Sequence, residues 1–279
     1  MRIYVTSVLF SLFLIASGIA FSQVPNGILG YDQFPPFRGV SALAGSTYGT
    51  DKEGYVTLSG ATAFSTPTAF VLGHDQVQMA LSEMSHDGAP TFVESRGKNV
   101  AFATYGHTFG SFNVAVSDLI KSHFLDQSFN LQVEYITPKP EPWAVSVGVQ
   151  DWRGGGGAAG DKEPGNTLSS RSFFGVVTYR FDTGHTPDVT VPEGAEDTVR
   201  RPLFVSLGIG TRRFFHPFGS ASYQVVHPMR VWIEQDGFGV NEGVLFATKA
   251  GPGKRAPRLS LLLGYVKERY FVWGAGMGF

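Results

Sequence analysis

The side chains best suited to proton transfer or metal binding at neutral pH are the seven histidines, at positions 74, 86, 107, 123, 185, 216 and 227. No two of them stand in the H-E-x-x-H spacing that sets two imidazoles on one helix face around zinc. None sits in an H-x-S-N-G context, and no G-x-S-x-G turn is present to expose a serine nucleophile. The chain has no cysteine, so thiolate metal sites, disulfides and thiol-linked lipid are excluded. Gly155-x-Gly157-x-x-Gly160 matches a dinucleotide fingerprint in form only: it lies in a run of four glycines, and Asp161-Lys162-Glu163-Pro164 does not open the helix that would receive a pyrophosphate. Asp51 with Glu53, and Glu196 with Asp197, read as solvated loop charge. No catalytic residue, metal or cofactor is expected.

What remains is a set of polar side chains within apolar segments: Gln132, Glu134, Gln150, Arg180, Arg230, Glu234 and Asp236. Their setting alternates with period two, the signature of strands with one polar and one apolar face. In Phe129–Tyr135 the odd positions are apolar and the even ones polar. Trp143, Val145, Val147 and Val149 alternate with Ala144, Ser146, Gly148 and Gln150. Phe173, Val177, Tyr179 and Phe181 oppose Thr178 and Arg180. Leu203–Gly210, Arg258–Tyr265 and Tyr270–Phe279 repeat the pattern, with weaker copies near 39–47, 54–65, 76–85, 99–107, 112–121, 218–227, 229–236 and 239–249. The count is about 12–14 strands.

In a soluble sheet the outer face carries Lys and Glu. Here the non-apolar face is rich in Gly, Ser, Ala and Gln, and charged residues make up only 16% of the chain. Aromatics cluster near strand ends, at Phe129, Tyr135, Trp143, Trp152, Tyr179, Phe181, Tyr265, Trp273 and Phe279, as interfacial girdles do. Tilted strands of about ten residues match a hydrocarbon band ~25 Å tall. The expected fold is all-β, a single antiparallel transmembrane β-barrel in the bacterial outer membrane, with lipid as its partner. Lys+Arg of 22 against Asp+Glu of 23 gives no electrostatic case for nucleic acid.

The two ends of the chain agree. Arg2 precedes an apolar run from about Val8 to Ala20, and Ala20-Phe21-Ser22 supplies small residues at a cleavage site. Residues 1–22 therefore read as a signal peptide, and 23–279 as the barrel. The run is shorter than the ~20 apolar residues of a spanning helix. At the other end, Phe271, Trp273, Ala275, Met277 and Phe279 share one face and Gly274, Gly276 and Gly278 the other. With the last strand ending at the periplasm, 137–142 and 227–228 become periplasmic turns, and 86–98 and 153–170 outer loops. The acidic segment 182–201 also falls on the periplasmic side, where turns are usually short.

The cadence of amphipathic strands and Pro-bounded turns over roughly 125–279, from "EYITPKPEPWAVSVGVQDWRG" to "PRLSLLLGYV", resembles the YjbH-type outer-membrane barrels associated with exopolysaccharide production. The ending Gly274-x-x-Met277-x-Phe279 is similar to the signal read by barrel-assembly machinery, with Val272 where a polar residue is usual. The resemblance implies an envelope role near polysaccharide export components and supplies no catalytic residues. Inside a barrel of this size, Arg180 and Arg230 are expected to pair with Glu134, Glu234 or Asp236. Two function classes stay open: a channel or export component for small polar solutes or polysaccharide, and a closed structural barrel.

Overall fold

The computed structural model describes residues 60–84, 98–121, 127–137, 142–152, 171–185, 200–211, 214, 216–226, 228–237, 239–250, 256–266 and 270–279. Its strands are β1 (Gln76–Met84), β2 (Lys98–Phe109), β3 (Phe112–Lys121), β4 (Gln127–Tyr135), β5 (Trp143–Gln150) and β6 (Ser172–His185). They continue as β7 (Arg200–Gly210), β8 (Phe218–Val226), β9 (Met229–Gln235), β10 (Val240–Lys249), β11 (Arg258–Val266) and β12 (Tyr270–Gly278). Each strand pairs antiparallel with its neighbours in sequence, and β1 pairs with β12 to close a 12-stranded barrel. Closure leaves no free edge, the condition a sheet must meet in lipid. Beyond β12, the ladder gains a last rung: Val77 N–H donates to the Phe279 carbonyl at 2.8 Å, and Phe279 N–H to the Val77 carbonyl at 3.0 Å.

Alternation decides which face goes where. Val147 and Leu207 are 58% and 59% exposed, whereas their neighbours Ser146 and Ser206 are 2% and 1% exposed. The apolar row faces outward and the polar row inward, the reverse of a soluble barrel. Tyr105, Phe109, Phe112, Tyr135, Trp143 and Tyr179 are exposed near one rim. That rim holds the start of β1 and the end of β12, and is called here the terminal rim. The other is the distal rim. β6 ends and β7 begins at the terminal rim, as do the strands flanking 136–142 and 227–228. The strand count therefore does not slip at the acidic 182–201 segment.

Of the expected strands, one cannot be compared with this wall and another is not part of it. The segment 39–47 lies outside the described residues. The other, 54–65, is a correction: among the described residues the wall starts at Gln76, and Ala61–Ser65 run through the barrel interior. The physical reason is legible afterwards. From Ala61 to Gly73 there is no charge, and apolar residues fall on both parities, with Phe64 and Phe70 on one and Ala63, Ala69 and Val71 on the other. A segment apolar on both sides suits burial all round, and Pro67 cannot donate to a ladder.

The interior is packed. Phe64 lies among Phe102, Leu119, Trp232, Leu245 and Leu262, and Phe70 among Phe174, Phe204, Phe214 and Phe218. Inward glycines make this possible. A Cβ at Gly106 would sit 2.3 Å from the Leu72 backbone, and one at Gly243 would sit 2.7 Å from the Trp232 ring. The wall thus yields space where the interior chain and the large rings press on it.

Arg at Val147 or Leu207 should cost about 2–4 kcal/mol near the bilayer midplane. Gly106→Val should cost about 1–3 kcal/mol by overpacking against Leu72. Refolding titrations in lipid check both, and a neutral Leu207→Arg would mean that this face does not meet hydrocarbon.

Candidate functional site

The interior segment follows the polar groups of the wall. Thr62 N–H donates to Ser222 Oγ at 3.1 Å, and Arg230 Nη1 donates to Thr62 Oγ1. Arg230 is the second residue of β9, close to the terminal rim. Three residues further on, the chain has reached Glu234, next to the distal end of the same strand. It then descends: Ala69 N–H donates to Thr178 Oγ1 at 2.7 Å and Val71 N–H to Glu134 Oε2 at 2.8 Å. Gln132 Nε2 donates to the Thr68 carbonyl at 2.7 Å. His74 N–H reaches Thr108 Oγ1, one residue from the end of β2. Residues 61–74 therefore climb from mid-wall, turn over near the distal rim, and return to the terminal one.

Glu234 holds the tip of that loop. Its Oε2 accepts from Phe64 N at 2.9 Å, Thr66 N at 3.2 Å and Thr66 Oγ1 at 3.0 Å. Oε1 accepts from Ser65 N and Asn241 Nδ2, both at 2.8 Å, and from Ser65 Oγ. A buried carboxylate is costly unless such donors replace its water shell. Here successive backbone N–H groups and two hydroxyls do so, and the tip can make these bonds because it is not committed to a ladder. Phe64 stacks on Trp232 beside the carboxylate, ring centroids 6.0 Å apart at 22°.

Each sequence-predicted residue can now be placed. Gln132, Glu134, Gln150, Arg230, Glu234 and Asp236 are buried, and Arg180 is half-buried. Glu134, Gln132, Arg230 and Glu234 all hydrogen-bond to the interior segment. The carboxylates also have partners that were not expected: Glu134 and Glu234 accept main-chain N–H groups of residues 64–71, while Arg230 donates to Thr62. Asp236 accepts from Gly239 N–H at 2.9 Å and closes the β9–β10 connection. Gln150 lies at the distal end of β5. Sequence reasoning missed Thr178, Ser222, Asn113 and Asn241, because short polar side chains inside a barrel look alike until a partner is known. Gly274, Met277 and Phe279 lie in or directly after β12, with Met277 and Phe279 exposed on the outward row.

Where the loop leaves the lumen, His74 and Asp75 have φ of 52° and 60°, a left-handed pair that turns the chain into β1. Asp75 Oδ1 accepts from Tyr105 Oη at 2.5 Å and lies 2.6 Å from His107 Nδ1. The Tyr105 hydrogen bond first, and that of His107 second, hold the Asp75 carboxyl below its ordinary value. A depressed carboxyl contributes stability above its unfolded value that is lost as pH falls through the folded one. This turn is therefore firm at neutral pH and loosens in the acid range.

No protein-family model matches the chain, and no curated protein matches it. Among solved structures it is similar to a KdgM porin in complex with disordered oligogalacturonate, at 9% identity and a TM-score of 0.43, over 72% of this chain and 98% of that one. A NanC porin gives 10% identity and a TM-score of 0.36, over 73% and 98%. A mutant Rh. blastica porin gives 11% and 0.32, over 65% and 55%. At these values the site's chemistry is read from this chain's own residues.

Replacing Glu234 with Ala should leave the N–H groups of residues 64–66 buried without their acceptor, at about 1–3 kcal/mol for each such group. The expected outcome in hydrogen exchange is loss of protection at Phe64, Ser65 and Thr66 while the wall amides stay protected. Unchanged protection there would show that the tip does not depend on Glu234. Asp75→Asn should remove the acid-range loosening of the loop's exit, read as pH-independent protection at His74–Val77.

Proposed function

We propose that this protein is an outer-membrane channel barrel for small polar solutes, closed at rest by its own residues 61–72. The observation that carries this reading is the mismatch between a polar wall and the chain that fills it. The inward side presents Thr104, Ser117, Gln132, Ser146, Thr178, Ser206, Ser222 and Glu234. Hydrocarbon side chains would fill a permanently sealed barrel at lower cost, because buried polar groups need partners. A polar wall suits a path that is wet when the segment is elsewhere. The loop shape favours withdrawal too: its returning leg leaves through the terminal rim, away from the anchor of its tip.

The same geometry explains closure. Retreat would expose Phe64, Phe70 and Leu72 to water at about 1.5–3 kcal/mol each. The unaided open fraction is then below about one in a thousand. The strand cadence resembling YjbH-type barrels supports a place beside polysaccharide export components. The outward row ending at Met277 and Phe279 supports delivery by barrel-assembly machinery after removal of residues 1–22. A second reading, a closed structural barrel, is favoured by the apolar packing around Phe70.

The chain has no cysteine, so an engineered pair is unique. Thr62→Cys with Ser222→Cys places thiols on two residues already joined, Thr62 N–H donating to Ser222 Oγ at 3.1 Å. In planar bilayers the wild type should be nearly silent. Glu234→Gln should give conducting events more frequent than those of the wild type, and oxidising the cysteine pair in that background should abolish them. A folded Glu234→Gln protein that stays silent when reduced would make the structural reading the correct one.

A further inference from the structure

We propose that Glu234, with Trp232, Asn241 and Asp236, is a binding site for the guanidinium group of a solute, occupied at rest by the chain's own Phe64–Thr66 tip. This rests on the channel reading above and names the ligand that would release the tip.

The tip shows what the site recognises. One carboxylate accepts from five donors of the loop, three N–H groups and two hydroxyls, with Asn241 adding a sixth donor from the wall. Beside it, a flat ring lies on Trp232. A ligand that takes the tip's place must bring several convergent donors and a planar face. A guanidinium carries five N–H donors in a rigid planar fork, binds carboxylate through two parallel bonds, and stacks on indole. A neutral polyol presents donors without charge. An anion would meet Glu234 and Asp236 as like charges. An ammonium lacks the plane that would replace Phe64. Asn241 Nδ2 lies 3.4 Å from Asp236 Oδ2 and joins the two carboxylates, so the charge of both bears on one place.

Position matters as much as chemistry. Glu234 is the last residue but one of β9, and Asn241 is the second of β10. The site therefore lies just beneath the distal rim, whereas the returning leg of the loop leaves by the terminal rim. Of the two rims, the distal one is the nearer to the site. Occupation of the site and closure by the loop are mutually exclusive, so ligand binding shifts the gate by its differential affinity alone.

The test uses full-length protein in planar bilayers with L-arginine amide, sucrose or L-glutamate added on the distal side. Arginine amide should raise the open fraction about ten- to hundredfold, the usual span of such coupling. Sucrose and glutamate should leave it unchanged. The rise should vanish in Trp232→Leu, which removes the stacking surface, and in the oxidised Thr62→Cys/Ser222→Cys protein, which cannot release the loop. Equal responses to all three solutes, or an undiminished response in Trp232→Leu, would overturn the guanidinium assignment. A wild type silent in every solute, beside a conducting Glu234→Gln, would overturn the assignment and leave the channel. Silence of both proteins would remove the channel reading itself.

Discussion

Everything in this structure follows from the need to pair every backbone group away from water. In hydrocarbon an unpaired N–H or C=O has no solvent to fall back on, so a sheet that crosses must close. The β1–β12 ladder, ended by the reciprocal Val77–Phe279 bonds, is where that demand is met. It also explains the chemistry of the last residue. Phe279 contributes its backbone to the seam and its ring to the outward row, so one residue serves closure and the lipid face together.

Closure with twelve strands creates a second constraint, an interior too wide for wall side chains alone to fill everywhere. The chain resolves it with residues 61–72. That segment brings its own backbone donors into a space without water, and those donors need acceptors. The wall supplies them from four strands: Ser222 on β8, Glu234 on β9, Thr178 on β6 and Glu134 on β4, the last also accepting from Asn113 on β3. Glu234 and the loop tip are thus mutually dependent. The carboxylate is tolerable inside the barrel because the tip solvates it, and the tip is tolerable there because the carboxylate accepts its bonds.

This dependence separates strength from permanence. Hydrogen bonds to an ionised acceptor are the strong kind. They are also exchangeable, because another set of donors satisfies the carboxylate equally well. The apolar contacts of Phe64, Phe70 and Leu72 are the opposite: they carry no directional code, and they only disfavour exposure to water. A loop held in both ways is tied at named points by the wall's acceptors and kept in place between them by its apolar side chains.

The alternation of residues such as Val145, Val147 and Val149 with Ser146 and Gly148 was by itself enough to set strand identity, the lipid-facing row and the all-β barrel class. It was enough because side-chain direction in a strand has period two whatever the strand's partners are. The buried positions of Gln132, Glu134, Arg230 and Glu234 were legible for the same reason. Their partners were not. Sequence spacing relates neighbours along one strand, whereas Glu234 meets Ser65, 169 positions away, across the lumen. Charge complementarity pointed to Arg230 for that role, since backbone donors are invisible in a sequence: every residue but proline has one. The segment from Ala61 to Gly73 is the clearest case. Its composition allows a strand or a buried filler equally, and only the closed wall, with no vacant ladder position and an interior to fill, decided between them.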